Sequence, residues 1–408
     1  MPDLVTLTRR YGSPLYVYDL DRVERAATDL HAALPSGSVV YYSLKANPHV
    51  VVAGKMRESG CRAEVSSSGE LAAALAAGFP AEDCLYTGPG KTAAELDNAI
   101  AVGVRRFSAE SAGDLARIGR AALGHDTEAT VLLRVSGPGS GATGLRMTGA
   151  ETQFGVDEKQ VIADPGRFTT APGARVVGLH LFPVSNARDE GALIAAFQAS
   201  IALAARLRDK AGFPLEVVDL GGGFAAPYAR PGRRETYPGL SGALRAALDD
   251  ELPGWSDGDL EVAFESGRYL VGDCGRLVTR VQDVKAVGDT TFAVLDAGIN
   301  HLGGMAGLGR LGRPAATPEP VHGPITTVTL AGPLCTPADV IGRNVEAPDP
   351  APGDLIVVPN AGAYGLTASL VAFLGRPAPA EIVLAGGDVV QASRLQMTYQ
   401  AVSPLEVS

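Results

Sequence analysis

The residues of this chain that could do chemistry stand where apolar runs stop. Lys45 closes the β-branched and aromatic run Val39–Lys45, and Asn47-Pro48 then forces a turn. Glu64 and Ser66 end a second run, Arg134 a fifth, and His180 and Phe182 a sixth. A seventh passes into Gly221-Gly222-Gly223, and an eighth ends in Glu265, followed by Ser266-Gly267-Arg268. A desolvated lysine amine is a nucleophile toward carbonyl carbon. A glycine triplet lets consecutive backbone N–H groups approach an anion. An arginine can clamp a phosphate with several donors, and a glutamate can hold a pyridine nitrogen protonated. These are the parts of a site for a phosphate-bearing aldehyde cofactor. Each part has a plainer reading: Lys45 as a lysine snorkelling at a rim, the glycines as a turn, Glu265 and Arg268 as an ion pair three residues apart. Their recurrence at successive strand ends favours the chemical reading.

The elements that must position these residues alternate. Strands are expected at Val39–Lys45, Cys61–Ser66, Cys84–Thr87, Arg105–Ala109, Thr130–Val135, Val176–Phe182, Leu215–Leu220 and Leu260–Glu265. Amphipathic helices are expected between most of them, at 50–59, 69–77, 93–102, 112–123, 190–211 and 242–251, with Ser68 and Asp189 as N-caps. The interval 137–170 reads mostly as loop. Eight such strands predict a closed parallel α/β barrel, in which functional groups gather at the C-terminal strand ends; periodicity alone leaves an open, doubly wound sheet available. Beyond Gly267 short alternating runs separated by Gly, Pro and Asp predict an all-β domain, sandwich- or barrel-like, with strands near 276–284, 291–295, 325–331, 354–358, 381–384 and 396–402. Pro14–Asp19 reads as a strand that could join it. The expected division is an α/β barrel over 26–267 and a β domain over 1–25 and 268–408. In that second domain Gly332-Pro333-Leu334-Cys335 and Gly362-Ala363-Tyr364-Gly365 would by themselves pass for turns with a small thiol and a packed aromatic.

Composition narrows the classes. The chain has 408 residues, of which 46% are hydrophobic and 20% charged, enough for a large core and two domains. A net charge of −10 without a basic run argues against nucleic acid and anionic membrane as partners. No signal-peptide pattern and no uninterrupted apolar stretch of membrane-spanning length stand out, so a cytoplasmic protein is expected. Cys61, Cys84, Cys274 and Cys335 show no CxxC spacing, which disfavours disulfides and a zinc site.

The ordered set YGSPLYVYD, YYSLKAN, EVSSSGEL, LGGGF, ESGR, GPLC and GAYG resembles the fold-type III pyridoxal-phosphate decarboxylases, the family of diaminopimelate and ornithine decarboxylases. The resemblance spans nearly the whole chain. It implies an N-terminal α/β barrel, a C-terminal β domain and a homodimer with shared active sites. It implies pyridoxal 5'-phosphate carried on Lys45, with Glu64 and Phe182 beside the ring and Arg134 near its hydroxyl. Glu265 would pair with the ring nitrogen. Ser185, Gly221, Gly222, Gly223, Arg268 and Tyr364 would hold the phosphate, with Gly267 also in the cofactor site. Cys335 would reach in from the partner subunit to reprotonate the substrate carbon, and His180, Thr336 and Asp339 would lie beside the substrate.

Departures from the family pattern bear on the substrate. His180-Leu181-Phe182-Pro183-Val184-Ser185 places Phe182 where the family stacks a histidine; an aromatic can still stack, but a titratable group is gone. Thr336 follows Cys335 where enzymes acting on free amino acids carry an acid that grips a distal ammonium. The family's arginine in an RPxLY-like segment is missing, with only Arg310 and Arg313 nearby. These departures, with ESGRYL, AGPLCTPAD and the GAYGL segment, resemble the subgroup that decarboxylates an amino acid carried as a conjugate, such as the glutamyl-carrier-protein decarboxylase of butirosin-type assembly. The expectation is therefore decarboxylation of a conjugated amino acid in natural-product biosynthesis, with an acyl or peptidyl carrier protein as partner. The alternatives are a decarboxylase of a free diamino acid or diaminopimelate, one acting on a citryl-type siderophore intermediate, and a racemase.

Overall fold

Eight parallel strands close on themselves: Val39–Ser43, Arg62–Val65, Cys84–Tyr86, Arg106–Ala109, Ala129–Ser136, Ala174–His180, Val217–Asp219 and Glu261–Ser266. The last returns to the first, with Glu265 beside Tyr41 and Ser266 beside Tyr42. The structure is a computed structural model and describes residues 3–136, 145–146, 153–303, 316–319 and 324–401. The fold is thus an α/β barrel joined to a separate, mostly β domain, and the open-sheet alternative is excluded by the closing pair.

The barrel closes because its strands are short apolar runs buried on both faces. Tyr41, Leu85, Leu132, Val177, Val217 and Ala263, one from each of six strands, form a single buried cluster. The helices begin on side-chain caps that the sequence supplies. Thr92 and Glu95 make a capping box before Ala93–Ala101, and Asp189 accepts from the Ala192 N–H at 2.7 Å before Glu190–Ala211. The cap of Ser68–Ala76 is Ser67, one residue earlier than expected, because its hydroxyl, not that of Ser68, reaches the Glu70 N–H at 3.1 Å. Glu190–Ala211 is long and apolar enough to cross a membrane by length and composition, the one such helix among the described residues. Its apolar face, including Phe197, Ile201 and Leu207, is buried in the barrel unit, as a barrel helix requires. Between Asp157 and Ala171, where loop was expected, the chain forms the short helices Glu158–Ala163 and Gly166–Thr169.

Two compact units divide the chain. One holds residues 19–275 and 360–363, the other residues 1–18, 276–359 and 364–408. In the second an eight-stranded sheet runs Val340–Pro348, Ile325–Ala331, Thr290–Leu295, Gly275–Val287, Leu15–Asp19, Ala380–Ala385 and Asp388–Arg394, with Leu355–Val358 also on Gly275–Val287. The early strand Leu15–Asp19 therefore does join the β domain. Leu15 and Val17 pack with Val278, Ile382 and Leu384, and the Tyr18 hydroxyl donates to Glu381 at 3.0 Å. The last strand among the described residues is Asp388–Arg394, and 396–401, part of the strand expected at 396–402, form none. Gly386 and Gly387, at φ 56° and 90°, make a two-residue hairpin turn that pairs Ala385 with Asp388. Val340–Pro348 and the opening helix Leu4–Tyr11 were not anticipated.

Candidate active site

Lys45 is not at the strand end itself. The strand stops at Ser43, and a single 3-10 turn, Leu44–Ala46, lifts Lys45 out so that its side chain is 43% exposed. Asn47 pins this turn: its side-chain amide donates to the Gly362 carbonyl at 2.9 Å and its oxygen accepts the His49 N–H at 3.0 Å. A Cβ at Gly267 would stand 2.8 Å from the Ala46 Cβ, so glycine is what lets the segment after the eighth strand lie against the lysine turn. The Lys45 ammonium meets both oxygens of Glu64, at 3.1 and 3.0 Å. Glu64 is buried and also accepts from Thr87 and, at 3.1 Å, from Ser66. Burial alone would raise its pKa, but the Lys45 charge and the Thr87 and Ser43 hydroxyls hold it down to about 2.

A second group lies at the same end of the barrel. His180 and Asp219 end two neighbouring strands and Glu265 lies one residue before the end of the next; all are buried, and their side-chain nitrogen and oxygen atoms lie within 4.8 Å of one another. The His180 Nδ1 is 2.7 Å from the Ser108 hydroxyl, and its Nε2 is 3.2 Å from Glu265 Oε1, in a contact bent away from hydrogen-bond geometry. Asp219 Oδ1 accepts the Gly221 N–H at 2.8 Å, whereas its Oδ2 has no hydrogen-bond partner. Burial, then the charge of Glu265, pushes the Asp219 carboxyl up to about 7. Burial opposes a charged His180, but the Glu265 carboxylate more than offsets it, so the imidazole's pKa is raised.

The triplet bends between these groups. Gly221 and Gly223 have φ of 71° and 137°, and a Cβ at Gly221 would come within 2.3 Å of the Leu181 carbonyl and 2.7 Å of the Phe182 ring. A Cβ at Gly222 would stand 2.7 Å from the Glu265 carbonyl. Phe182 thus lies against the glycines. Arg134 is buried, donates to Glu110 Oε1 at 3.1 Å and lies 4.6 Å from the Phe154 ring centroid and 5.9 Å from that of Phe182. Ser185 is in the short strand Val184–Ser185, and Arg268 is buried at the start of Arg268–Val271.

The structure therefore gathers Lys45, Glu64, Arg134, His180, Phe182, Gly221, Gly222, Gly223, Glu265 and Gly267 about one end of the barrel. His180, expected beside the substrate, faces Ser108 and Glu265 inside the barrel. Cys335, Thr336, Asp339 and Tyr364 belong to the β unit. There Cys335 is exposed, and Tyr364 is half-buried with a left-handed φ of 52°. Asp339, also expected at the substrate, is buried and accepts the Ile299 and Leu334 N–H groups at 2.8 and 2.6 Å, so its carboxylate shapes its own loop. Arg310 and Arg313 lie outside the described residues. Sequence reasoning missed Asp219, Glu110, Ser108 and Thr87. Asp219 carried a signal, a carboxylate closing an apolar strand before the glycines.

An amine, a buried carboxylate with an oxygen lacking an aligned partner, and a side-chain-free loop near a buried arginine fit pyridoxal phosphate. The match to known proteins agrees. Residues 20–272 match the family model described as pyridoxal-dependent decarboxylase, pyridoxal binding domain. The chain is 33% identical over 397 residues to the L-glutamyl-[BtrI acyl-carrier protein] decarboxylase of Niallia circulans, covering 94% of this chain and 92% of that protein. It is 32% identical over 383 residues to the 2-[(L-alanin-3-ylcarbamoyl)methyl]-2-hydroxybutanedioate decarboxylase of Staphylococcus aureus, covering 90% and 93%. Diaminopimelate decarboxylase of Helicobacter pylori complexed with L-lysine superposes with a TM-score of 0.81 at 26% identity, covering 94% of each chain. This chain belongs to the pyridoxal-dependent decarboxylase family. It is a pyridoxal-phosphate-dependent carboxy-lyase acting on an amino acid.

Proposed function

We infer that the substrate is an amino acid presented as a conjugate, a carrier-protein thioester or similar, and not a free diamino acid. The loop that carries Cys335 supports this reading. Thr336 is neutral and its hydroxyl accepts the Ala338 N–H at 3.3 Å, while Asp339 commits its carboxylate to backbone N–H groups. Residues 332–339 thus present no free carboxylate to a distal ammonium. Two relatives also act on conjugates by name, a glutamyl carrier protein and a carbamoyl-linked hydroxybutanedioate.

In this reading Lys45 carries the cofactor and Glu64 keeps the lysine side chain in place. Gly221, Gly222, Gly223, Arg268, Tyr364 and Ser185 hold the phosphate, and Arg134 stands at the ring hydroxyl, fixed by Glu110. Pyridoxal phosphate held there would supply an electron sink for the pair left on the α-carbon when the carboxylate departs as carbon dioxide. Glu265 would supply the negative charge that keeps the ring nitrogen protonated. Cys335, contributed by the partner in a homodimer, would be the proton donor to the α-carbon, and the Lys45 amine would free the amine product. Carbon dioxide release from free glutamate, lysine, ornithine and diaminopimelate should be measured beside that from carrier-linked and citryl-type conjugates. Turnover of a conjugate at least about tenfold above every free amino acid is expected. Equal or faster turnover of a free diamino acid would overturn the reading.

A further inference from the structure

Two carboxylates and one imidazole, removed from water together, cannot all hold their solution charges at no cost. Asp219 and Glu265 are 0% and 2% exposed, with His180 beside them at 1%. Two like charges this close, with solvent excluded, favour a state in which one carboxyl keeps its proton. The charged neighbours say which. Asp219 has a single donor, the Gly221 N–H, and no ion pair among the described residues, whereas Glu265 Oε1 has the imidazole Nε2 at 3.2 Å, an ion-pair contact and not an aligned hydrogen bond. The Ser108 hydroxyl at 2.7 Å can accept from Nδ1, so both ring nitrogens can carry hydrogen. The other charges facing the group are already paired. Arg134, which opposes a charged His180, is bound to Glu110, and Glu64, which opposes an ionised Asp219, is bound to Lys45.

We propose that His180, Asp219 and Glu265 share protons as one unit, in which Asp219 keeps the carboxyl proton and the His180 imidazolium is the counter-charge that holds Glu265 ionised. Asp219 and His180 are then positioning residues acting through Glu265. The unit belongs to the barrel and is independent of which substrate is used. Its effect on the cofactor follows from the role proposed above for Glu265, so a readout that needs neither substrate nor turnover separates the two.

That readout is the infrared carbonyl stretch of a protonated carboxyl, followed in the holoenzyme across neutral pH, where ordinary carboxyls have already lost their protons. The wild type should show a band lost as the pH rises, with its midpoint at about 7. Asp219→Asn, whose amide oxygen can still accept the Gly221 N–H, should lack that band while keeping cofactor and fold. His180→Gln, which keeps a donor but loses the charge, should shift the midpoint upward. The absence of any such band in the wild type would overturn the proposal. So would its survival at full amplitude in Asp219→Asn, or its loss only in Glu265→Gln. If Asp219→Asn does not fold, an unmoved midpoint in His180→Gln is itself contradictory.

Discussion

Glu64 and Asp219 lie at the same end of one barrel, 1% and 0% exposed, and end on opposite sides of the ordinary carboxylate range, at about 2 and about 7. Burial pushes both upward. Glu64 answers it with the Lys45 ammonium and the Thr87 and Ser43 hydroxyls; Asp219 has one backbone N–H and a second carboxylate for a neighbour. Partners, more than depth, decide which acid is charged. Here that gives one side of the barrel a fixed anion beside the lysine, and the other a proton reservoir behind Glu265.

Lys45→Ala strikes the first side hardest. It removes the proposed nucleophile, and kcat should fall by about 10⁴-fold or more, the scale seen when a catalytic nucleophile is deleted. Glu64 would also lose its counter-charge. Glu265→Gln strikes the other side and should lower kcat by about 10²- to 10³-fold, as expected for one electrostatic partner of the reacting group. Cofactor content should persist, and the Asp219 midpoint should fall because its like-charged neighbour is gone. Cys335→Ala leaves both sides intact; turnover should drop by about 10²-fold or divert to a ketone-type product, with cofactor still bound. An unchanged rate and product would remove the thiol from the mechanism.

The smallest effect is on stability, and its sign differs between the two acids. The Glu64 pKa is lowered on folding, so its contribution is present above about pH 4.3, its unfolded value, and fades as the pH falls toward 2. The Asp219 pKa is raised, so its contribution is complete below about pH 3.9 and is lost as the pH rises through 7. Thermal melts against pH should show Glu64→Gln flattening the acid limb and Asp219→Asn flattening the slope between about pH 4 and 7. Identical changes in both variants would dissolve the contrast.

The barrel was legible because each strand is a short apolar run closed by a polar residue, and reading those ends points to Lys45, Glu64, Arg134 and Glu265, which the fold brings to one end of the barrel. Asp219 was passed over because the glycines after it drew attention to the loop, and Glu110 because the fourth run was closed at Ala109. His180 and Asp339 are expected beside the substrate, and the structure shows each buried with partners of its own. Sequence shows that a polar side chain ends a strand or sits in a motif, but not whether it turns inward to Ser108 or to the Ile299 and Leu334 N–H groups. The misplaced final strand had a local signal, the Gly386-Gly387 turn, which alternation alone did not weigh.

Borohydride reduction of the holoenzyme followed by peptide mapping tests the central assignment most directly. The pyridoxyl label should appear on the peptide containing Lys45, and the visible absorption of the bound cofactor should disappear with it. Label on Lys55, Lys91 or any other lysine, or no stoichiometric label at all, would contradict the account.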